Sequence, residues 1–364
     1  MNIAFVTGWG VFPQNGGQGG FCSQLAAGLI ALGHDVSIVT RNAAQWMEWA
    51  ASRPQLARGM RIVPPSLSAL SGADLVHLSK PGLRMLACGF LLRKPIVVTH
   101  HDYHAQCPAT TAWSPHGNCG VTPGGLGPCT NCTSPAPGSH LRLRVQQWFL
   151  TRAVNVGVSR CTADHLGIEH AILNPFDANE SPDFCDAEVE PRIAFVGRLV
   201  PEKGLDTVIT ALRRLPGVTL DVYGDGPARS SLEALAQSLN VQSQVCFRGR
   251  QANPISQIRT AAAVVVPSLF EDPCAYVVLE AMAAGKAVIA AATGGSPELL
   301  QGRGWIVPPS DAEAVAAAVR EILDSPGERI ARGRAARRFL LDQLAPVDVA
   351  RRYEAVYRLA HAGG

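Results

Sequence analysis

The chain has 364 residues, 47% of them hydrophobic and 17% charged, with a formal net charge of +3. That composition excludes a disordered chain, and the length exceeds what one core of roughly 100–200 residues holds, so two domains are expected. A small net charge with no Lys/Arg block speaks against nucleic acid as a partner.

The opening stretch MNIAFVTGWG lacks a basic region and reads as a buried first strand rather than a signal peptide. No apolar run reaches the ~18 residues of a membrane span. A cytoplasmic protein is therefore expected, its ten cysteines mostly reduced, with peripheral contact at the inner face of the cell membrane left open. Only Lys80, Lys94, Lys203 and Lys286 are lysines among the 32 basic residues, so a lysine inside a motif carries weight.

In chain order, 2–7 reads as a strand, 20–32 as a helix with one apolar face and 35–40 as a strand. Strands at 75–78 and 96–99 flank a helix at 82–92. Residues 104–140 interrupt the pattern with Gly, Pro, Ser, Thr and Cys, an irregular insertion. A helix at 141–151 and a strand at 154–159 resume it. Residues 174–191 carry three prolines and several acids and read as a linker. The rhythm then restarts, with strands at 193–196, 219–223, 245–248, 264–267 and 287–290. Helices alternate with them at 204–215, 229–239, 254–260 and 275–284, and amphipathic helices at 311–323 and 347–361 close the chain. This alternation predicts two doubly wound, parallel-sheet α/β domains, with ligands beyond the carboxyl ends of the strands. Their expected extents are 1–175 and 190–343, with 344–364 a helix returning toward the first domain.

Three segments of the second half carry chemistry. In Phe195-Val-Gly-Arg-Leu-Val-Pro-Glu-Lys-Gly204 a strand runs into Gly197, and Arg198 and Lys203 flank the turn into a helix. Two cations beside helix N-terminal amides suit a diphosphate, although a surface turn with both side chains in solvent has the same spacing. In Phe270-Glu-Asp-Pro-Cys-Ala-Tyr-Val-Val-Leu-Glu280, Glu271 and Asp272 sit at a helix start, where the dipole favours an acid in any case. Glu280 lies in an otherwise apolar helix, and a buried carboxylate there needs a partner such as a ligand hydroxyl. Gly294 and Gly295 before another helix fit either a plain turn or the approach of a phosphate or sugar.

Taken in order, Gly-Arg-Leu-x-Pro-Glu-Lys-Gly, Gly224-Asp-Gly-Pro, Pro267-Ser followed by Asp-Pro-x-x-x-Val-Val-Leu-Glu-Ala-Met-Ala-Ala-Gly, and Gly-Gly-Ser-Pro-Glu resemble the retaining GT-B glycosyltransferases of family 4. The resemblance implies that Arg198 and Lys203 bind the donor diphosphate, that Glu280 holds the ribose hydroxyls and that the first acid of Glu-x7-Glu contacts the transferred sugar. The register places Asp272 at that acid, with Glu271 one residue earlier as the alternative. Pro273-Cys274-Ala275 replaces the usual Pro-Phe-Gly, which narrows the space beside the sugar and leaves its identity open.

In the first half, Gly16 and Gly17 precede Leu-Ala…Leu…Gly-His-x-Val as in the family's first loop, implying contact with the distal phosphate. A dinucleotide fingerprint is the rival reading, but Gly16 lies far behind the first strand and no acid closes the second. Thr99-His-His-Asp-Tyr resembles the family's His-Asp-Tyr loop, which implies that His101 lies near the reacting sugar and donates to a hydroxyl. His100 and His104 have no counterpart.

Cys107, Cys119, Cys129 and Cys132 fall in the insertion, the last two as Cys-x-x-Cys. They suggest a structural zinc with four thiolates, free thiols or a redox pair being the alternatives. No cofactor is required for catalysis in this reading, and without an Asp-x-Asp motif Mg²⁺ is optional. The expected activity is sugar transfer from a UDP- or GDP-sugar to an unidentified hydroxyl acceptor, a glycan, lipid-linked or small-molecule alcohol. Another nucleotide-sugar enzyme such as an epimerase, or a non-catalytic sugar-nucleotide-binding protein, is the alternative.

Overall fold

The computed structural model describes residues 1–8, 10–13, 16–56, 59–107, 113–114, 117–118, 139–251 and 254–362. They divide into two compact units, one within Met1–Ala112, Cys119–Phe176 and Gln343–Gly364, the other within Trp113–Asn118 and Asp177–Asp342.

The N-terminal unit is built on strands β1 (Asn2–Val6), β2 (Asp35–Val39), β3 (Met60–Val63), β4 (Leu75–Leu78) and β5 (Ile96–His100). The ribbon β6 (Trp113–Ser114) and β7 (Gly117–Asn118) is grouped with the other unit, and the N-terminal unit continues with β8 (Val154–Gly157) and β9 (His170–Ala171). Apart from the ribbon, all pair in parallel in the order β3-β2-β1-β4-β5-β8-β9. Helices α1 (Gly16–Ala31), α2 (Ala43–Ala51), α3 (Leu67–Ser71), α4 (Leu83–Leu91), α5 (Ser139–Leu150) and α6 (Arg160–Leu166) make the crossovers. Strands β4 and β5 are buried along their whole length, as expected when helices cover both faces of a parallel sheet.

Burial of β4 and β5 forces their polar residues to find partners. The His77 ring bonds the Tyr357 hydroxyl through Nδ1 and the Thr99 hydroxyl through Nε2, each at 2.8 Å, and Tyr353 lies 3.0 Å from Thr99 Oγ1. Both tyrosines belong to the C-terminal helix Pro346–Ala362, which packs on α1 and is thereby fastened to this sheet. The network satisfies groups that would otherwise be costly to bury.

The C-terminal unit has strands β10 (Glu190–Val196), β11 (Thr219–Tyr223), β12 (Val245–Gly249), β13 (Ala261–Val266), β14 (Ala287–Ala291) and β15 (Trp305–Val307), all parallel, in the order β12-β11-β10-β13-β14-β15. Helices α7 (Leu205–Ala211), α8 (Arg229–Ser238), α9 (Pro254–Gln257), α10 (Tyr276–Ala283), α11 (Ser296–Leu300), α12 (Ala312–Asp324) and α13 (Pro326–Gln343) accompany them. Asp311 caps α12 by accepting from the amides of Glu313 and Ala314, and Val315, Ala316, Val319 and Ile322 form its buried face.

The fold class is the expected one, two doubly wound parallel α/β units. Several details differ. The helix expected over 254–260 ends at Gln257, and the strand expected to start at 264 begins at Ala261. Strands β3, β6, β7, β9 and β15 and helices α2, α3, α6 and α13 were not expected. Of the insertion 104–140, residues 104–107, the ribbon and the start of α5 are described. Cys119, Cys129 and Cys132 lie outside the described residues.

Candidate active site

In the C-terminal unit four loops meet at the carboxyl ends of β10, β11, β13 and β14. The first, after β10, carries Arg198 and a short 3-10 turn Pro201–Lys203. It is held by the second through the amides of Gly197, which bonds Tyr223 O at 3.0 Å, and Leu199, which bonds Asp225 O at 3.0 Å. Gly224, at φ +148°, lets the two loops touch, since a Cβ there would collide with the Gly197 carbonyl oxygen. The third loop, after β13, is tied to the first by Leu269 N–H donating to Glu202 O at 2.9 Å. The fourth is tied to the third by Gly295 N–H donating to Asp272 O at 2.9 Å and by Thr293 Oγ1 donating to Ser268 O at 2.8 Å. Gly294, at φ +58°, sits so close to the Asp272 backbone that no side chain fits.

This frame brings Lys203 onto Asp272, with Nζ donating to Oδ2 at 2.6 Å, and places the same ammonium 4.8 Å from the centre of the Phe270 ring. Both charges are largely shielded, with 22% and 15% of their side chains exposed. Arg198 differs. Its side chain is 75% exposed and among the described residues meets only Glu202, at 4.0 Å, so the guanidinium is available to a ligand at little cost. Glu271 lies beside Asp272 and is half-buried.

Glu280 projects from α10 with no hydrogen-bond or ion-pair partner among the described residues. Burial alone pushes its carboxyl up to about 7, from an ordinary value of 4.5. Ala275, where the family pattern has glycine, is buried at the helix N-cap next to buried Cys274. The Ser268 hydroxyl just beyond β13 is buried without a partner among the described residues. Pro267-Ser268 belongs to the motif series that resembles the family, but the pattern assigns the serine no role of its own.

In the N-terminal unit, Gly16 and Gly17 open α1, whose Gln18 donates to Ser79 O at 2.8 Å beyond the end of β4. Phe21, one turn along, meets His101 edge-on with ring centres 4.3 Å apart. The Gly16-Gly17 helix start and His101 thus lie near one another in this unit. Burial drives the His101 imidazole down to about 3; Asp102 opposes the shift, and His100 and Lys80 add to it. The ring is therefore neutral near pH 7, and its Nε2 is buried without a partner among the described residues. His100 bonds Asn155 Oδ1 at 2.9 Å, a structural role.

Of the candidate zinc ligands, Cys107 is described and buried. Among the described residues no three His, Cys, Asp or Glu side chains gather as a metal site. No helix among them is long and apolar enough to cross a membrane.

Residues 180–339 match the family model described as Glycosyl transferases group 1. The D-inositol 3-phosphate glycosyltransferase of Mycobacteroides abscessus is 32% identical over 188 residues, 49% of this chain and 42% of that protein. The glycogen synthase of Mycobacterium tuberculosis is 34% identical over 222 residues, 59% of this chain and 52% of that protein. The chain thus spans about half the length of the curated relatives it matches. Among solved structures, Anabaena HepE in complex with UDP superposes with a TM-score of 0.72 at 18% identity, covering 99% of this chain and 100% of that one. The sucrose-phosphate synthase of Thermosynechococcus elongatus gives 0.72 at 21% identity, covering 100% of both chains. The fold is GT-B.

Proposed function

We propose that the chain is a retaining glycosyltransferase of family 4 that moves a sugar from a UDP- or GDP-sugar to a hydroxyl acceptor. The observation that carries this reading is the convergence of Arg198, Lys203 and Asp272 on interlocked loops at the carboxyl edge of the C-terminal sheet, within the segment that matches the family model. Arg198 and Lys203 grip the donor diphosphate and stabilise it as it leaves, which needs neither a resident cofactor nor Mg²⁺. Glu280 accepts from the ribose hydroxyls, so its carboxylate gains the partner it lacks. Asp272, with Glu271 as the alternative, contacts the transferred sugar. Gly294 and Gly295 shape the loop beneath it, Gly16 and Gly17 offer amides to the distal phosphate, and neutral His101 hydrogen-bonds a sugar hydroxyl. No side chain is assigned as a nucleophile. The acceptor oxygen bonds the anomeric carbon on the face from which the diphosphate departs, and the bond from that carbon to the diphosphate oxygen breaks. The hydroxyl proton passes to the leaving diphosphate, and positioning of donor and acceptor contributes to the acceleration.

The enzyme is proposed to work at a membrane surface. On α5, Leu141, Val145 and Trp148 are 69%, 39% and 53% exposed, along one stripe flanked by Arg142, Arg144 and Arg152 with no acid between residues 139 and 153. An apolar stripe edged with arginines suits anionic lipid. Cys107, Cys119, Cys129 and Cys132 are proposed as ligands of a structural zinc.

Proton NMR of the product tests the transfer reading: an α-linked sugar from an α-configured donor is expected, and a β-linked product contradicts retention.

A further inference from the structure

The following rests on the transferase reading and concerns its acceptor. In the N-terminal unit a pocket of about 350 Å³ opens at the carboxyl ends of β1, β2 and β4, and Arg41, Lys80, Arg84, Arg142 and His104 all line it. Among the described residues no Asp or Glu lines it. Lys80 is answered by Asp102 at 3.1 Å just outside the lining. Among the described residues the side chains of Arg41, Arg84 and Arg142 have no partner. Three unanswered guanidinium charges therefore surround one small space, on residues scattered from position 41 to position 142.

Neutral hydrogen-bond donors point the same way. The N-terminus of α4 forms part of the wall through Gly82, Leu83, Arg84 and Met85, with no side-chain cap and no acid in its first turn. His104, whose backbone N–H donates to Asp102 Oδ1 at 2.9 Å, has a buried Nδ1 with no partner among the described residues. Converging like charges repel, and an anion placed among them reverses that repulsion. Three forks and a helix end match a tetrahedral oxyanion carrying two charges better than a planar carboxylate carrying one. Val6 and Leu78 give the pocket an apolar floor for a short carbon skeleton.

We propose that this pocket receives a phosphate group of the acceptor, so the substrate is a phosphorylated alcohol rather than a neutral glycan. A soluble phosphorylated polyol and a phospholipid headgroup present the same group, and two arms of one experiment separate them. Calorimetric titration of the full chain with glycerol 3-phosphate is the soluble arm. Co-sedimentation with phosphatidylcholine vesicles carrying phosphatidylglycerol is the lipid arm. Both are run on the wild type and on the Arg41→Ala/Arg84→Ala double variant, whose altered side chains are exposed and lie off the α5 stripe, and whose folding is checked by thermal melting. UDP and GDP are titrated into the same preparations.

The expected result is binding in at least one arm that the double variant weakens tenfold or more, with nucleotide affinity unchanged. The arm with the stronger response identifies the source. No binding in either arm, or binding that the double variant leaves intact, overturns the phosphate assignment while nucleotide binding keeps the donor reading alive. A wild-type chain that binds neither UDP nor GDP sinks the transferase reading instead.

Discussion

The ammonium of Lys203 lies 2.6 Å from Oδ2 of Asp272, 69 positions further along the chain. One residue of the pair is assigned to the leaving diphosphate and the other to the sugar, so the donor must exchange partners with an ion pair already in place. Lys203→Ala leaves a mostly shielded carboxylate unpaired and should cost about 1–2 kcal/mol of stability in urea melts as well as nucleotide affinity. Arg198→Ala, on an exposed side chain, should shift stability by less than ~0.5 kcal/mol while weakening nucleotide binding about tenfold. Equal stability losses in both variants would contradict the geometry.

The two candidate acids separate in the same way. Asp272→Asn should depress sugar transfer by about 100-fold, and Glu271→Gln by well under tenfold, with nucleotide affinity nearly unchanged in both. The reverse order would move the assignment to Glu271.

Glu280 makes the pH dependence specific. Its folded-state value of about 7 lies above the ordinary 4.5, so the folded protein holds a proton that the unfolded chain has released. Stability should therefore fall as pH rises from 4.5 to 7, by up to about 3 kcal/mol, and level off above 7. Glu280→Gln should remove that slope, as followed by thermal melting across the range. If the carboxylate accepts from ribose hydroxyls, nucleotide affinity in the wild type should also rise through pH 7 relative to the variant.

His101, held down near 3, stays neutral from pH 5 to 8. The rate profile should then show no inflection from this ring in that range. His101→Ala should lower transfer about 100-fold without weakening UDP or GDP binding. A shared loss of nucleotide affinity would place the ring elsewhere.

The C-terminal helix offers a purely structural check. Tyr357→Phe leaves the buried Nδ1 of His77 without its partner and should destabilise the protein by about 1–3 kcal/mol, with nucleotide affinity in the C-terminal unit unchanged.

The strand-helix rhythm of both units was legible because parallel strands buried on two faces, such as the Ala261–Val266 run, appear as short apolar blocks between helical periods. Helix α13 was not legible for the opposite reason. Its sequence is polar on nearly every side, and only Arg329, Gly333, Ala336 and Leu340 are buried. Strand β3 has no fully buried residue and so no apolar block. In the candidate site, Arg198, Lys203 and Glu280 stood out because each is chemically odd in its local segment. The Lys203–Asp272 pair and the cluster of Arg41, Arg84 and Arg142 were invisible, since tertiary packing alone brings together residues so far apart.

The central claim is that two cations at the carboxyl edge of the C-terminal sheet hold the diphosphate that departs. Phosphorus NMR of nucleotide diphosphate release from a panel of UDP- and GDP-sugars tests it most directly, in the wild type, Arg198→Ala and Lys203→Ala. Release by the wild type, reduced at least 100-fold in both variants, is the result this account predicts; release that continues unchanged in both would contradict it.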